Sequence, residues 1–76
     1  MNKKEVCKII GKNIQYERKK QGYTQETFAE LMGVTWSYVS KVEAGILNLS
    51  VCKIFEISQH LNIHINKLLK FEDKSL

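Results

Sequence analysis

At 76 residues, 43% of them hydrophobic and 26% charged, the chain is long enough for one small domain near the lower limit for a self-supporting core, and too apolar for a disordered segment. No apolar run approaches the roughly 20 residues that cross a bilayer, and the charged start Met1–Glu5 lacks the apolar segment of a signal peptide, so the cytoplasm is the expected compartment and a membrane is not an expected partner. The net charge of +4 is uneven: seven Lys/Arg against two Glu in residues 1–20, one Lys against three Glu in 21–50, and four Lys against three acids in 51–76. That balance suits a polyanionic partner, or it simply describes a solvated first helix.

Five short helices are predicted, joined by tight turns in a chain with no proline and four glycines. Helix 1 covers about Lys4–Gln21, where Val6, Ile10 and Ile14 keep one face apolar and Gly22 stops the helix. Helix 2 covers about Gln25–Met32 with Thr24 as N-cap. Phe28, Leu31 and Met32 at i, i+3, i+4 form its inner face, and Thr27 stands where a capping box would place an acid. Gly33 ends it in the left-handed conformation, Val34 fills the corner and Thr35 caps helix 3, about Trp36–Ala44. Small Ala29 lets helix 3 cross closely; Val39 and Val42 point inward, leaving Trp36, Ser37, Ser40, Lys41 and Ala44 outward up to Gly45.

Ser50 caps helix 4, about Val51–Leu61, with Ile54, Ile57 and Leu61 inward, a staple between Leu49 and Ile54, and Asn62 left-handed at its end. Helix 5 is short, about Ile65–Leu69, and the tail from Glu72 to Leu76 is expected to fray. Cys7 and Cys52, 45 positions apart, read as small core hydrophobes. His60 and His64 share i, i+4 spacing, but no Asp, Glu or Cys completes a ligand set, so no metal or cofactor is expected. Hydroxyls and carboxylates occur without a paired base, which predicts no catalytic residues, no small-molecule substrate and no enzyme.

An exposed helix face held against a bracing helix can enter a DNA major groove. The run Thr24-Gln25-Glu26-x-x-Ala29-x-x-x-Gly33-Val34-x-x-x-x-Val39-Ser40-x-Val42-Glu43-x-Gly45 resembles the phage-repressor and Cro-type (XRE-type) helix-turn-helix family. The likeness covers about residues 9–70 of what is then a single domain, 1–76. It implies an all-α, compact, lambda-repressor-like fold whose helix-turn-helix, residues 25–44, is formed by helices 2 and 3. Ser37-Tyr38-Val39-Ser40 and Asn48-Leu49-Ser50 are similar to the controller proteins of restriction-modification systems.

The resemblance implies base reading from the outward face of helix 3, by Trp36, Ser37, Ser40 and Lys41. A tryptophan is unusual at this site: its exposed indole is expected to pack on thymine methyls or a sugar with the N–H free for a phosphate, or else to fold back onto the protein. It implies that Gln25 donates to a phosphate while steadying helix 3, and that Thr24 caps helix 2 beside a phosphate. Tyr38 reaches the DNA backbone or is a half-buried core tyrosine. Arg18 and Glu43 form an exposed ion pair, structural only or with Arg18 also at a phosphate. Relatives imply a homodimer on a palindromic, inverted-repeat operator, for which Leu69, Phe71 and Ile63 are the candidate interface; Ile65 and Leu68 go to the core. Three positions depart from the family: Ile46-Leu47 replace phosphate-gripping basic residues, Glu17 replaces an apolar residue, and His64 replaces a hydroxyl or acid cap. The apolar pair and the local charge balance of −2 over 21–50 leave a protein–protein adaptor or antitoxin component as the alternative.

Overall fold

A computed structural model describes residues 1–72 and is helical throughout its regular elements: α1 (Lys3–Lys20), α2 (Gln25–Met32), α3 (Trp36–Ala44), α4 (Val51–His60) and one 3-10 turn (Ile65–Lys67). Each α-helix starts on a side-chain cap. Asn2 Oδ1 accepts from Glu5 N at 2.9 Å, Thr35 Oγ1 from Tyr38 N at 3.1 Å, and Ser50 Oγ from Lys53 N at 3.1 Å. At α2 the capping box closes without the acid: Thr24 Oγ1 accepts from Thr27 N at 3.0 Å, and Thr27 Oγ1 accepts from Thr24 N at 2.8 Å. A hydroxyl both donates and accepts, so a second threonine does the work expected of a carboxylate.

The fifth helix is the main correction. Residues 65–67 form a single 3-10 turn, too short to repay helix nucleation. His64 still caps it, its ring Nδ1 accepting from Asn66 N at 3.4 Å. The carbonyls of Leu68 and Lys70 turn instead to the Asn13 amide, 3.0 Å each, which ties the C-terminal segment to α1. The fraying expected of the tail falls, beyond residue 72, outside the described residues.

Ile10 and Ile14 of α1, Phe28 and Ala29 of α2, Val39 and Val42 of α3, Ile54 and Ile57 of α4, with Leu61 and Leu68, build one core. Leu31 is not part of it, at 45% exposed. Phe28, Ala29 and Met32 define the inner stripe, and Leu31 lies about 60° off Phe28 on the opposite side from Ala29. Cys52 is likewise exposed rather than buried, because two residues from inward Ile54 is a turn of about 200°; Cys7 is half-buried. Glu17 is buried where an apolar residue was the expectation.

A close backbone approach joins α1 to the end of α3. A methyl group on Gly11 would lie 2.6 Å from the carbonyl oxygens of both Val42 and Glu43. Gly11 sits mid-helix, where its missing side chain lets α3 lie against α1. Gly45, left-handed at φ 76°, makes the reciprocal contact: its missing methyl would fall 2.6 Å from Lys8 Cα.

Candidate nucleic-acid interface

The outward face of α3 carries Trp36, Ser37, Ser40, Lys41 and Ala44, all exposed, while Val39 and Val42 on the other face are buried. Trp36 stands at the first position of the helix and is 56% exposed. The start of α2 lies beside it. The indole Nε1 donates to Gln25 Oε1 at 2.9 Å, and Gln25 Nε2 donates to Glu43 Oε1 at 3.0 Å. One glutamine thus ties the first residue of α3 to its penultimate one, and fixes α2 against both.

Behind this link lies an ion pair. Arg18 Nε donates to Glu43 Oε2 at 2.6 Å and Nη2 to Oε1 at 3.0 Å, a two-pronged contact, while Nη1 donates to the Tyr23 carbonyl at 2.7 Å. The pairing expected between these residues is present, but not as a surface pair: their side chains are 5% and 2% exposed. Burial follows from Gly11, which draws the end of α3 onto α1, and three of the five guanidinium N–H groups are taken up within the protein. Arg18 forms the floor of a shallow groove with Tyr23, Thr24, Gln25, Glu26 and Trp36.

The other anticipated residues fall in three places. Thr24 is exposed at the mouth of that groove. Tyr38 is half-buried in a small cleft with Met32, Val34, Lys53, Glu56, Ile57 and His60. Lys53 there donates to Glu56 at 3.1 Å, and that hydrogen bond, with the carboxylate's charge, holds its ammonium above the ordinary lysine range. In the C-terminal segment, Ile63 and Leu69 are half-buried and Phe71 is 40% exposed, while Leu68 is buried outright.

Sequence reasoning missed Gly11, Asn13 and the hydroxyl half of the α2 cap. A glycine inside an amphipathic helix costs about 1 kcal/mol relative to alanine, and that unexplained cost was the available signal. It also passed over Val51 and Phe55, exposed apolar residues one turn apart on the outer face of α4. Among the described residues no group of three or more His, Cys, Asp or Glu could hold a metal ion, and no helix is long and apolar enough to cross a membrane.

Comparison with known proteins places these features in a family. The helix-turn-helix family profile matches residues 14–68. The uncharacterized HTH-type transcriptional regulator YazB of Bacillus subtilis is 36% identical over 62 residues, 82% of this chain and 90% of that protein. The HTH-type transcriptional regulator SinR of Bacillus licheniformis is 32% identical over 68 residues, 88% of this chain but 61% of SinR. Among solved structures, the restriction-modification controller protein C.AhdI from Aeromonas hydrophila superposes with a TM-score of 0.74 at 34% identity, covering 82% of this chain and 94% of that one.

Proposed function

The chain belongs to the XRE-type helix-turn-helix family of DNA-binding transcriptional regulators, and from that premise we propose that it acts in the cytoplasm as a homodimer on an inverted-repeat operator, with α3 in the major groove. The supporting observation is the Trp36–Gln25–Glu43 link: it holds the outward face of α3 and the N-terminus of α2 on one surface. In this docking mode the N-terminal turn of the recognition helix meets base edges and the neighbouring helix start meets phosphates.

Trp36, Ser37, Ser40 and Lys41 then face the bases, Lys41 able to donate to guanine O6 and N7. Gln25 keeps its second amide hydrogen for a phosphate, Thr24 presents the start of α2 to the same strand, and the Tyr38 hydroxyl lies at the edge of the contact. Arg18 and Glu43 position α3 rather than touch DNA. Ile63, Leu69 and Phe71 join two copies so that half-sites 34–36 Å apart are read together. The protein performs no chemistry and needs no cofactor; it works by occupying a promoter. The 34% identity with C.AhdI favours a role of the same kind, control of a restriction-modification operon.

Selection of bound sites from random DNA tests the reading directly. A recovered palindrome with half-sites one helical turn apart is the expected result. In fluorescence anisotropy, Lys41→Ala should change the preferred base at one position per half-site, costing about 1–3 kcal/mol against the former base; a uniform loss on all sequences makes Lys41 a phosphate contact instead. Exposed Ile46, Val51 and Phe55 favour the second reading, an adaptor or antitoxin component. Absence of any DNA binding at about 50 mM salt, where phosphate contacts are strongest, decides for that one.

A further inference from the structure

The polarity of the hydrogen bonds behind Trp36 narrows what its ring can recognise. A carboxylate only accepts and an indole N–H only donates. Glu43 Oε1 therefore meets the amide nitrogen of Gln25, which turns the amide oxygen toward Trp36, and no other orientation satisfies both contacts. Glu43 is itself fixed by two hydrogen bonds from Arg18, whose remaining nitrogen is held by the Tyr23 carbonyl. The relay is closed at its inner end and terminates outward on the indole.

The only hydrogen-bonding group of the Trp36 side chain is thus spent within the protein, yet more than half of the residue is exposed at the first position of α3. What the side chain shows to a partner is the aromatic ring alone, with no donor left on it. Among base edges in the major groove the one apolar group is the 5-methyl of thymine; guanine, adenine and cytosine present acceptors and amino donors there. A bare ring pressed on those polar groups would strip them of water with nothing in exchange.

We propose that Trp36 is a specificity-determining residue that reads the 5-methyl group of a pyrimidine, thymine in unmodified DNA, and discriminates against purines by offering no donor. The assignment rests on the DNA-binding reading above and adds the chemical group recognised. Ser37, Ser40 and Lys41 keep their own hydrogen-bonding choices, so the methyl preference is confined to the bases under the start of α3.

The experiment uses the full chain and DNA sites recovered by selection, resynthesised with each thymine replaced singly by uracil. Affinity is measured by anisotropy. Loss of one buried methyl should weaken binding about fourfold at one position per half-site and leave other positions unchanged. At that position 5-methylcytosine should bind better than cytosine. Trp36→Ala, at an exposed site where folding is checked by circular dichroism, should lower affinity for the thymine site and bring the thymine-over-uracil ratio to unity.

Equal affinity for thymine and uracil at every position, or a selected half-site with no thymine under α3, overturns the assignment. So does equal binding of cytosine and 5-methylcytosine at that position, since a contact made to the methyl group must respond to it on either base. Each of these leaves DNA binding itself standing. Failure to bind any DNA is a different result, and takes the underlying reading with it.

Discussion

Glu43 accepts two hydrogen bonds from Arg18 and one from Gln25 while almost wholly shielded from water. A buried ion pair is weak evidence for net stability, since desolvating both charges offsets most of their attraction. Removing one partner is another matter. Arg18→Met should cost about 3–5 kcal/mol in urea unfolding, because it strands a buried carboxylate. The double change Arg18→Met with Glu43→Leu should recover much of that loss, and a double-mutant cycle measures the coupling. Additive effects would mean that the two residues are independent, against the geometry. Arg18→Lys should not substitute, since an ammonium cannot supply the two-pronged contact and the bond to Tyr23 together. The residue types and their spacing made this pairing legible in the sequence. Its burial was not, because burial depends on where α1 lies.

At the level of elements, the helix boundaries follow local chemistry closely. Thr24, Thr35 and Ser50 cap the helices they were expected to cap, and Gly33, Gly45 and Asn62 take the left-handed turns expected of them. These signals act over three or four residues and need no tertiary partner. The weakest local signal was the last helix, and there tertiary contacts prevailed: the Asn13 amide takes carbonyls that a continuing helix would have used. Packing between elements turns on Gly11. Gly11→Ala should destabilise the fold by roughly 1–3 kcal/mol, the usual cost of overpacking, because the obstructing atoms are backbone carbonyls rather than a flexible side chain. Thermal unfolding reads this as a lowered Tm. An unchanged Tm would show that α1 and α3 can separate freely, and would remove the reason given for the buried Arg18–Glu43 pair.

On the scale of the whole molecule, the surface proposed to face DNA and the apolar C-terminal residues proposed to join two copies come from different elements. Phe71→Glu should therefore shift sedimentation from dimer to monomer with little loss of helix, and should weaken binding to a palindromic site far more than to a single half-site. A dimer that survives this change would move the interface to Val51 and Phe55, the other exposed apolar pair. Exposed Ile46 offers no cation at the end of α3, so on the proposed reading affinity leans more on base contacts and on the second half-site.

The sequence by itself determined the all-helical class, the four α-helices with the caps of the last three, the turn between α2 and α3, and the outward Trp36, Ser37, Ser40 and Lys41. All of these are encoded in periodicity and short-range hydrogen bonding. Only the tertiary structure decided that Arg18 is shut away from solvent, that Trp36 surrenders its N–H to Gln25, and that Gly11 is an interhelical contact. The reason is common to all three: each depends on the distance between residues far apart in the chain, and helical periodicity carries no information about how closely two helices approach.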